Sequence, residues 1–374
     1  MPVLESLKHW APFHIDALGI ITLLAADSLR QSISRLVHNP FAEYLPLLAA
    51  HIFADNTIAN PIPGFTLYNI TDGVMATDLS AWWTRWLMCQ KLNYNSTTFH
   101  VNALAQRRPL TTLHWALMVC INFTVNATLV VIPVLLGDWY GFASSVSLVA
   151  VIIARGCMLF SLRRSLDNLV ERAEEHNCDP VTLFVMLPNG MAVTIRTTRG
   201  ITTNVFLTEP RPGSHFLYVL FRGVTWLAFG VLVVSLGSAC LCVQIMIVVT
   251  ILLATIVVVN RLGCDERYIG RRLEIVQIDA PGDDARYQAY LNMNLCDEHE
   301  EALVCWHLLP MKYNTFWWNR YRQRQNAAKA RPDDATVPTL SCSFCSTSPG
   351  PTSMPTYESK QACVQSRTAQ PIGT

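Results

Sequence analysis

The sequence predicts an α-helical membrane protein with four transmembrane helices in two hairpins, a small cytosolic β-sheet and cytosolic amphipathic helices. Three observations predict it. Charged residues make up only 15% of the 374 residues, against about 25% in an average soluble domain. They are absent from long continuous runs. Between those runs the apolar period changes from helical to two at Val181.

The charge balance narrows the class further. Lys and Arg number 28 and Asp and Glu 27, a net charge of +1. A nucleic-acid-binding protein would carry a basic excess, so no nucleic acid is expected among the partners. A wholly disordered chain would be poorer than 51% hydrophobic.

Residues 1–108 read as an N-terminal cytosolic region of amphipathic helices, broken at Asn39-Pro40 and around Pro61–Gly64. No signal peptide is read. Leu18–Leu24 is apolar, but Glu5 and Asp16 flank it and no basic start precedes it. A helix over Ala76–Leu92 carries Trp82, Trp83 and Trp86 beside Arg85 and Lys91. It suits the membrane interface, or equally an aromatic face packed on the cytosolic part.

Residues 109–162 form the first transmembrane hairpin, with helices at about 113–136 and 141–162. Pro109–Gly137 is a run of 29 residues without charge. A helix needs roughly 20 apolar residues to cross a hydrocarbon core about 30 Å thick. In the second helix only Arg155 interrupts, near enough to the end for its side chain to snorkel to the headgroups.

Residues 163–215 continue as a cytosolic helix and then a β-hairpin. Val181, Leu183, Val185 and Leu187 alternate with Thr182, Phe184 and Met186, and Asn189-Gly190 precedes Met191–Thr197. Asn-Gly between alternating runs favours a two-residue type I′ turn. Ile201–Leu207 is a candidate third strand.

Residues 216–260 form the second hairpin. Gly223–Asn260 holds 38 residues without charge, about 57 Å as one straight helix, so two helices at about 216–236 and 242–260 fit better. Their turn falls at Gly237–Cys242, and Arg222 snorkels. Residues 261–325 add a strand, Leu273–Ile278, to the same sheet, then a helix from Asp297 to Leu309. Phe316–Gln325 follows, an interfacial anchor or a packed terminal helix. Residues 326–374 contain seven Ser, seven Thr and six Pro, the composition of a disordered tail.

Both turns between paired helices lack Lys and Arg, whereas Arg107, Arg108, Arg163, Arg164, Arg261, Arg271 and Arg272 cluster at the opposite ends. Basic residues favour the cytosolic side. Both termini and the central loop are therefore expected in the cytosol, and the sequons at Asn69 and Asn95 unglycosylated.

No nucleotide loop, nucleophile elbow or zinc-protease motif occurs. Cys296, His299, Cys305 and His307 lie within 12 residues but lack the spacing of a structural zinc site. Cys342 and Cys345 form a lone C-x-x-C in the tail. No catalytic, cofactor or metal site is expected. Cys157 and Cys264 lie near the cytosolic ends of helices, as sites of palmitoylation or, the preferred reading, as buried or idle thiols. The polar set worth following is intramembrane: His114, Asn122 and Asn126 share one face of the first spanning helix, with Arg155 and Gln244 as candidate partners. Two readings stand: a polar pathway or ligand site, or hydrogen bonds joining helices.

Three stretches, Ala103–Leu117, Thr197–Pro212 and Gly263–Leu273, together with the four-helix layout, resemble a family of multi-pass membrane proteins of filamentous fungi. No activity is established for that family, so the resemblance implies a source and a layout only. The expected function is a non-enzymatic membrane scaffold or regulator whose partners are the lipid bilayer and other membrane proteins or further copies of itself. The alternative is an oligomeric transporter or channel subunit using the polar face.

Overall fold

The structure is a computed structural model and describes residues 26–47, 50–92, 97–104, 112–262, 264–278, 289–291, 293 and 295–329. Four of its helices are long and apolar enough to cross a membrane: α5 (Thr112–Leu136), α6 (Trp139–His176), α7 (His215–Ser238) and α8 (Leu241–Val259). Ahead of them come α1 (Ala26–Ile33), α2 (Pro40–Tyr44), α3 (Ala50–Ala54) and α4 (Ala81–Cys89). After them come α9 (Asp297–Cys305) and α10 (Thr315–Lys329).

The helices follow the charge-free runs because an apolar segment with every backbone group bonded internally needs no water. Their packing differs from two self-contained hairpins. The main partner of α7 is α6, from the other hairpin, and α7 and α8 diverge from their shared turn. The central helix is α6, which touches α5, α7, α8 and α2. It also runs 38 residues without a break. Its second half carries Leu166, Val170 and Ala173 into the core beneath the sheet.

At the turn end of the bundle one carboxylate joins the two connections. Asp138 caps α6 by accepting from the Gly141 N–H through Oδ1 (3.0 Å), and through Oδ2 it accepts from the Cys240 N–H at the start of α8 (2.7 Å). The side chain of Cys240 offers α8 no cap of its own. Gly141 is required beside it, since a Cβ there would lie 2.7 Å from Asp138 Oδ2 and from Val243 Cγ1. Asp138→Ala leaves two buried donors unpaired and is expected to lower stability by about 2 kcal/mol. Asp138→Asn, which keeps one acceptor, should lose about half of that. Thermal unfolding in detergent reads both, and an unchanged midpoint for the alanine variant would show that the turns hold together without it.

At the other end lies a sheet of seven strands among the described residues: β1 (Thr66–Asn69), β2 (Val74–Ala76), β3 (Thr98–Ala103), β4 (Pro180–Met186), β5 (Ala192–Thr198), β6 (Tyr268–Ile269) and β7 (Leu273–Ile278). Their order is β2-β1-β4-β5-β3-β7-β6. All neighbours are antiparallel except β3 and β5. The predicted hairpin and the strand at 273–278 are present in one sheet, but β3 stands between them. The N-terminal region, read as helical, supplies three strands. These are short, and β3 is central, where its pairing with both β5 and β7 outweighs local propensity.

Both faces of the sheet are covered, which explains why β4 is apolar on both. Val181, Leu183 and Val185 face α6, α1 and α4, while Phe184 faces the other way, onto Tyr290, Leu303 and Tyr321. The C-terminal helix α10 belongs to that second layer. Its Trp317 stacks on the fully buried Tyr321 at 5.2 Å, although Phe316 stays exposed. The packed alternative for Phe316–Gln325 thus describes Trp317 and Tyr321.

Three further expectations are corrected. Residues 201–207 are not a strand: one α-turn, Arg199–Ile201, leads into a π-helical turn, Thr202–Phe206. β5 already has β4 and β3 on its two sides, so no edge is free. Gly200 also presses its backbone onto the end of α6, where a Cβ would sit 2.3 Å from Ala173 O. The hairpin turn is not type I′. Gly190 has φ +80° but Asn189 is not in the left-handed region, and the Gly190 N–H donates to Leu187 O (3.0 Å). This is a three-residue loop, a type I turn closed by a left-handed glycine, which Pro188 favours by fixing φ. Finally, the tryptophan helix α4 is shorter than predicted, and Trp82, Trp83 and Trp86 are at most 2% exposed. They pack inside the protein, as the second of the two readings of this helix has it: Trp83 stacks between Trp86 (5.2 Å) and Phe206 (4.3 Å).

Candidate functional site

The predicted polar residues of the long apolar helices converge on a target the sequence reading did not include, the backbone of residues 36–47 and 50–56. Asn39 caps the short helix α2, accepting from the Phe41 and Ala42 N–H groups, with Pro40 in its first turn. The chain then turns through Leu45–Leu47, all buried, into α3. A two-helix hairpin this short leaves most of its carbonyls without helical partners. The long helices supply the donors.

Asn122 donates through Nδ2 to Pro40 O (3.4 Å) and to Met118 O (2.8 Å). Asn126 donates to Tyr44 O (2.9 Å) and to Asn122 O (2.8 Å). Arg155 donates through Nη2 to Leu45 O (2.6 Å) and Glu43 O (3.2 Å). Arg163 takes Leu36 O and Val37 O, and its Nη1 pairs with Glu43 Oε1 at 2.6 Å. Arg222 takes Ala54 O twice, and the Tyr218 hydroxyl donates to Asn56 Oδ1. Three of the long apolar helices thus hold one inserted segment by its carbonyls.

The candidate set is therefore partly assembled and partly dispersed. Asn122, Asn126 and Arg155 converge on the inserted backbone, and only the Asn126 amide also bonds another of the three, at the Asn122 carbonyl. Arg155 is fully buried, with its guanidinium on backbone carbonyls rather than extended along the helix to an end, and the half-buried Arg222 is likewise turned onto Ala54 O. Both are drawn inward because unpaired carbonyls in an apolar interior are costly. Gln244 is elsewhere, donating to Ala239 O (2.9 Å) within the α7–α8 turn. His114 falls in the first turn of α5, and its side chain lies outside those described, as do Asn95, Cys342, Cys345 and the tail from residue 330. Among the described residues no three His, Cys, Asp or Glu side chains meet as a metal site. The thiol of Cys264 is pushed up to about 11 by burial, which disfavours the thiolate needed for acylation.

Insertion leaves some polar atoms unmatched. Oδ1 of Asn122 and of Asn126, and Nε and Nη1 of Arg155, are buried without a partner. The helix interior also bears on depth. Ala50 packs on Val151 and Ala228, about 18 and 15 Å from the turn ends of α6 and α7 at 1.5 Å per residue.

A second feature lies beside the inserted segment. A cavity of about 150 Å³ is bounded by Ile58, Trp82, Leu162, Glu209, Arg211 and Tyr218, among others. Glu209 accepts from the Ala81 N–H through Oε2 (2.7 Å) and so caps α4 from a distant loop, where Ser80 makes no side-chain cap. Burial pushes the Glu209 carboxyl up to about 7, opposed by that N–H and by the field of Arg85. The donors of Arg85 are taken by the carbonyls of Thr57, Ile58 and Asn60.

Comparison with family models, curated proteins and solved structures gave no match. The geometry therefore stands alone. Sequence reading missed Arg163, Arg222, Tyr218 and Glu209 as parts of a site, because their target is main chain, which carries no residue signature. A signal was present in the segment itself. Between Glu43 and Asp55 no charged residue occurs, and Asn39-Pro40 is a strong helix start.

Proposed function

We propose that the chain is an integral membrane protein in which α2–α3 form a re-entrant hairpin, and that it serves as a non-enzymatic scaffold or regulator with the sheet and both termini in the cytosol. The carrying observation is that Asn122, Asn126, Arg155 and Arg222 are engaged on the protein's own backbone. Non-helical backbone at bilayer depth is tolerated when it is buried in protein. With the turn end at the far interface, Ala50 sits near the middle of a core about 30 Å thick. A bundle locked in this way suits a rigid mount for the sheet layers. The orientation rests on the distribution of arginines, and membership of the fungal family belongs to the same proposal.

One observation favours the alternative, an oligomeric channel or transporter subunit. The unmatched atoms of Asn122, Asn126 and Arg155 are hydratable. Reconstitution into liposomes separates the two. The scaffold reading expects no solute flux above that of empty vesicles. A flux that Asn122→Leu with Asn126→Leu abolishes, in protein that still inserts, would establish the conduit instead. Orientation is read in intact cells with a membrane-impermeant maleimide and a cysteine-free background. A cysteine at Trp139, which is exposed, should label, and one at Met75 on β2 should not. The reverse pattern inverts both hairpins. Absence of glycosylation at Asn69 is a weaker readout, because that side chain is buried and bonded to Asp72 in the fold.

A further inference from the structure

We propose that the cavity beside Glu209 holds the ammonium end of a zwitterionic phospholipid headgroup, with Arg211 facing the phosphate. This inference rests on the membrane reading above and adds a ligand to it.

The position comes first. Leu162 lies 23 residues from the start of α6 and Tyr218 lies 20 residues from the end of α7. At 1.5 Å per residue they stand about 35 and 30 Å from the turn end. A hydrocarbon core is about 30 Å thick, so a cavity they line opens at the level of the inner-leaflet headgroups.

The lining then selects the chemistry. Leu36, Ile58, Leu162 and Trp82 make the walls apolar, and the acid is Glu209. One of its oxygens takes the Ala81 N–H; the other has no hydrogen-bond partner among the described residues. No basic side chain among the described residues pairs with it: Arg85, whose field reaches it, is turned onto carbonyls. A partly buried carboxylate with no ion-pair partner among those residues calls for a cation. A metal ion would need several further oxygen ligands; the other side-chain oxygens of the lining are already engaged, Ser34 on Arg30 O and Tyr218 on Asn56. An organic ammonium needs one carboxylate and an aromatic wall, and Trp82 supplies the wall. At about 150 Å³ the space equals several waters of about 30 Å³ each, enough for a short aminoalkyl group. Arg211 is exposed on the rim, between Pro210 and Pro212, whose rings restrict the backbone that presents it. An acid inside and a base at the mouth match the order of ammonium and phosphate in such a lipid.

The experiment uses the full-length protein in nanodiscs of equal phosphatidylethanolamine, phosphatidylcholine and phosphatidylglycerol, followed by mild detergent extraction and native mass spectrometry of the retained lipid. The ammonium lipids together should be retained at least threefold over their share relative to phosphatidylglycerol. Glu209→Gln should abolish that preference. Its amide oxygen still accepts the Ala81 N–H, so an unchanged unfolding midpoint separates loss of ligand from loss of fold. The preference should also fade as pH drops from 8 to 6, because protonated Glu209 carries no charge; the other ionisable side chains facing it are Arg85, Arg211 and Tyr218. Equal retention by wild type and Glu209→Gln, or a preference for phosphatidylglycerol, overturns the proposal. Displacement of the lipid by an equal concentration of free O-phosphoethanolamine overturns the lipid as its source. Release of the chain from membranes by alkaline carbonate is a different result and overturns the membrane reading itself.

Discussion

Arg155→Ala is expected to free the inserted segment and to lower stability by about 4 kcal/mol or more. Two effects add. The guanidinium is the donor to Glu43 O and Leu45 O, and in a buried setting each orphaned carbonyl costs about 1–3 kcal/mol. Arg155 is also fully buried, so truncation leaves a void. One effect opposes them: the side chain is a buried cation with Nε and Nη1 unpaired, and its removal relieves that desolvation. The carbonyls and the void outweigh it, because the same carbonyls anchor a hairpin whose two helices are five residues each and far too short to persist alone. Two readouts are expected to agree. The thermal midpoint in detergent falls by about 5–10 °C. A cysteine at Leu47, which is buried in the wild type, becomes reactive to maleimide. A midpoint at the wild-type value with Leu47→Cys still protected would mean that the segment is held by apolar packing alone.

Trp83→Ala is expected to cost about 3–5 kcal/mol and to disrupt the sheet end without touching the bundle. Trp83 is fully buried and lies between the rings of Trp86 and Phe206. Phe206 belongs to the π-helical turn and Trp86 makes an edge contact with Phe99 on β3, so one side chain links α4, the turn after β5 and the central strand. Trp83→Phe should cost far less. It keeps a stacking ring, and it removes an indole N–H that has no partner in the core. Chemical denaturation followed by near-ultraviolet dichroism measures both variants. Equal losses for Phe and Ala would show that a retained aromatic ring contributes nothing at this position.

Much of the architecture was legible in the chain because the signals are local. The predicted bounds of α5, α7 and α8 and the start of α6 lie within a few residues of those observed, since a long apolar helix needs nothing from the rest of the protein to satisfy its backbone, whereas α6 runs on past its apolar part to His176. The alternation at Val181–Leu187 and Ala192–Thr197 was legible for a related reason: a hairpin is a short-range pairing set by period and turn residues. Asn122, Asn126 and Arg155 could be singled out because polar groups in apolar helices need partners.

What those groups bond to was not legible. Asn122 reaches Pro40 across 82 residues and Arg155 reaches Leu45 across 110. A main-chain carbonyl looks the same in every residue, so spacing along α5 and α6 cannot choose between a neighbouring helix and an inserted segment. The strand–helix error at 201–207 has the same origin. Ile201–Leu207 alternates well enough for a strand, but whether an edge is free depends on β3 joining β5 from a hundred residues upstream.

The sequence by itself thus determined the four apolar helices, the central β-hairpin and the list of polar residues buried among apolar ones, because each follows from interactions within about one helix or hairpin. Only the tertiary structure decided that residues 36–47 and 50–56 insert into the bundle, that α6 rather than α8 is the main partner of α7, that seven strands form one sheet, and that Glu209 faces a cavity. Those outcomes depend on which unsatisfied carbonyls, edges and faces meet across long sequence separations, and that is a property of the packed chain as a whole.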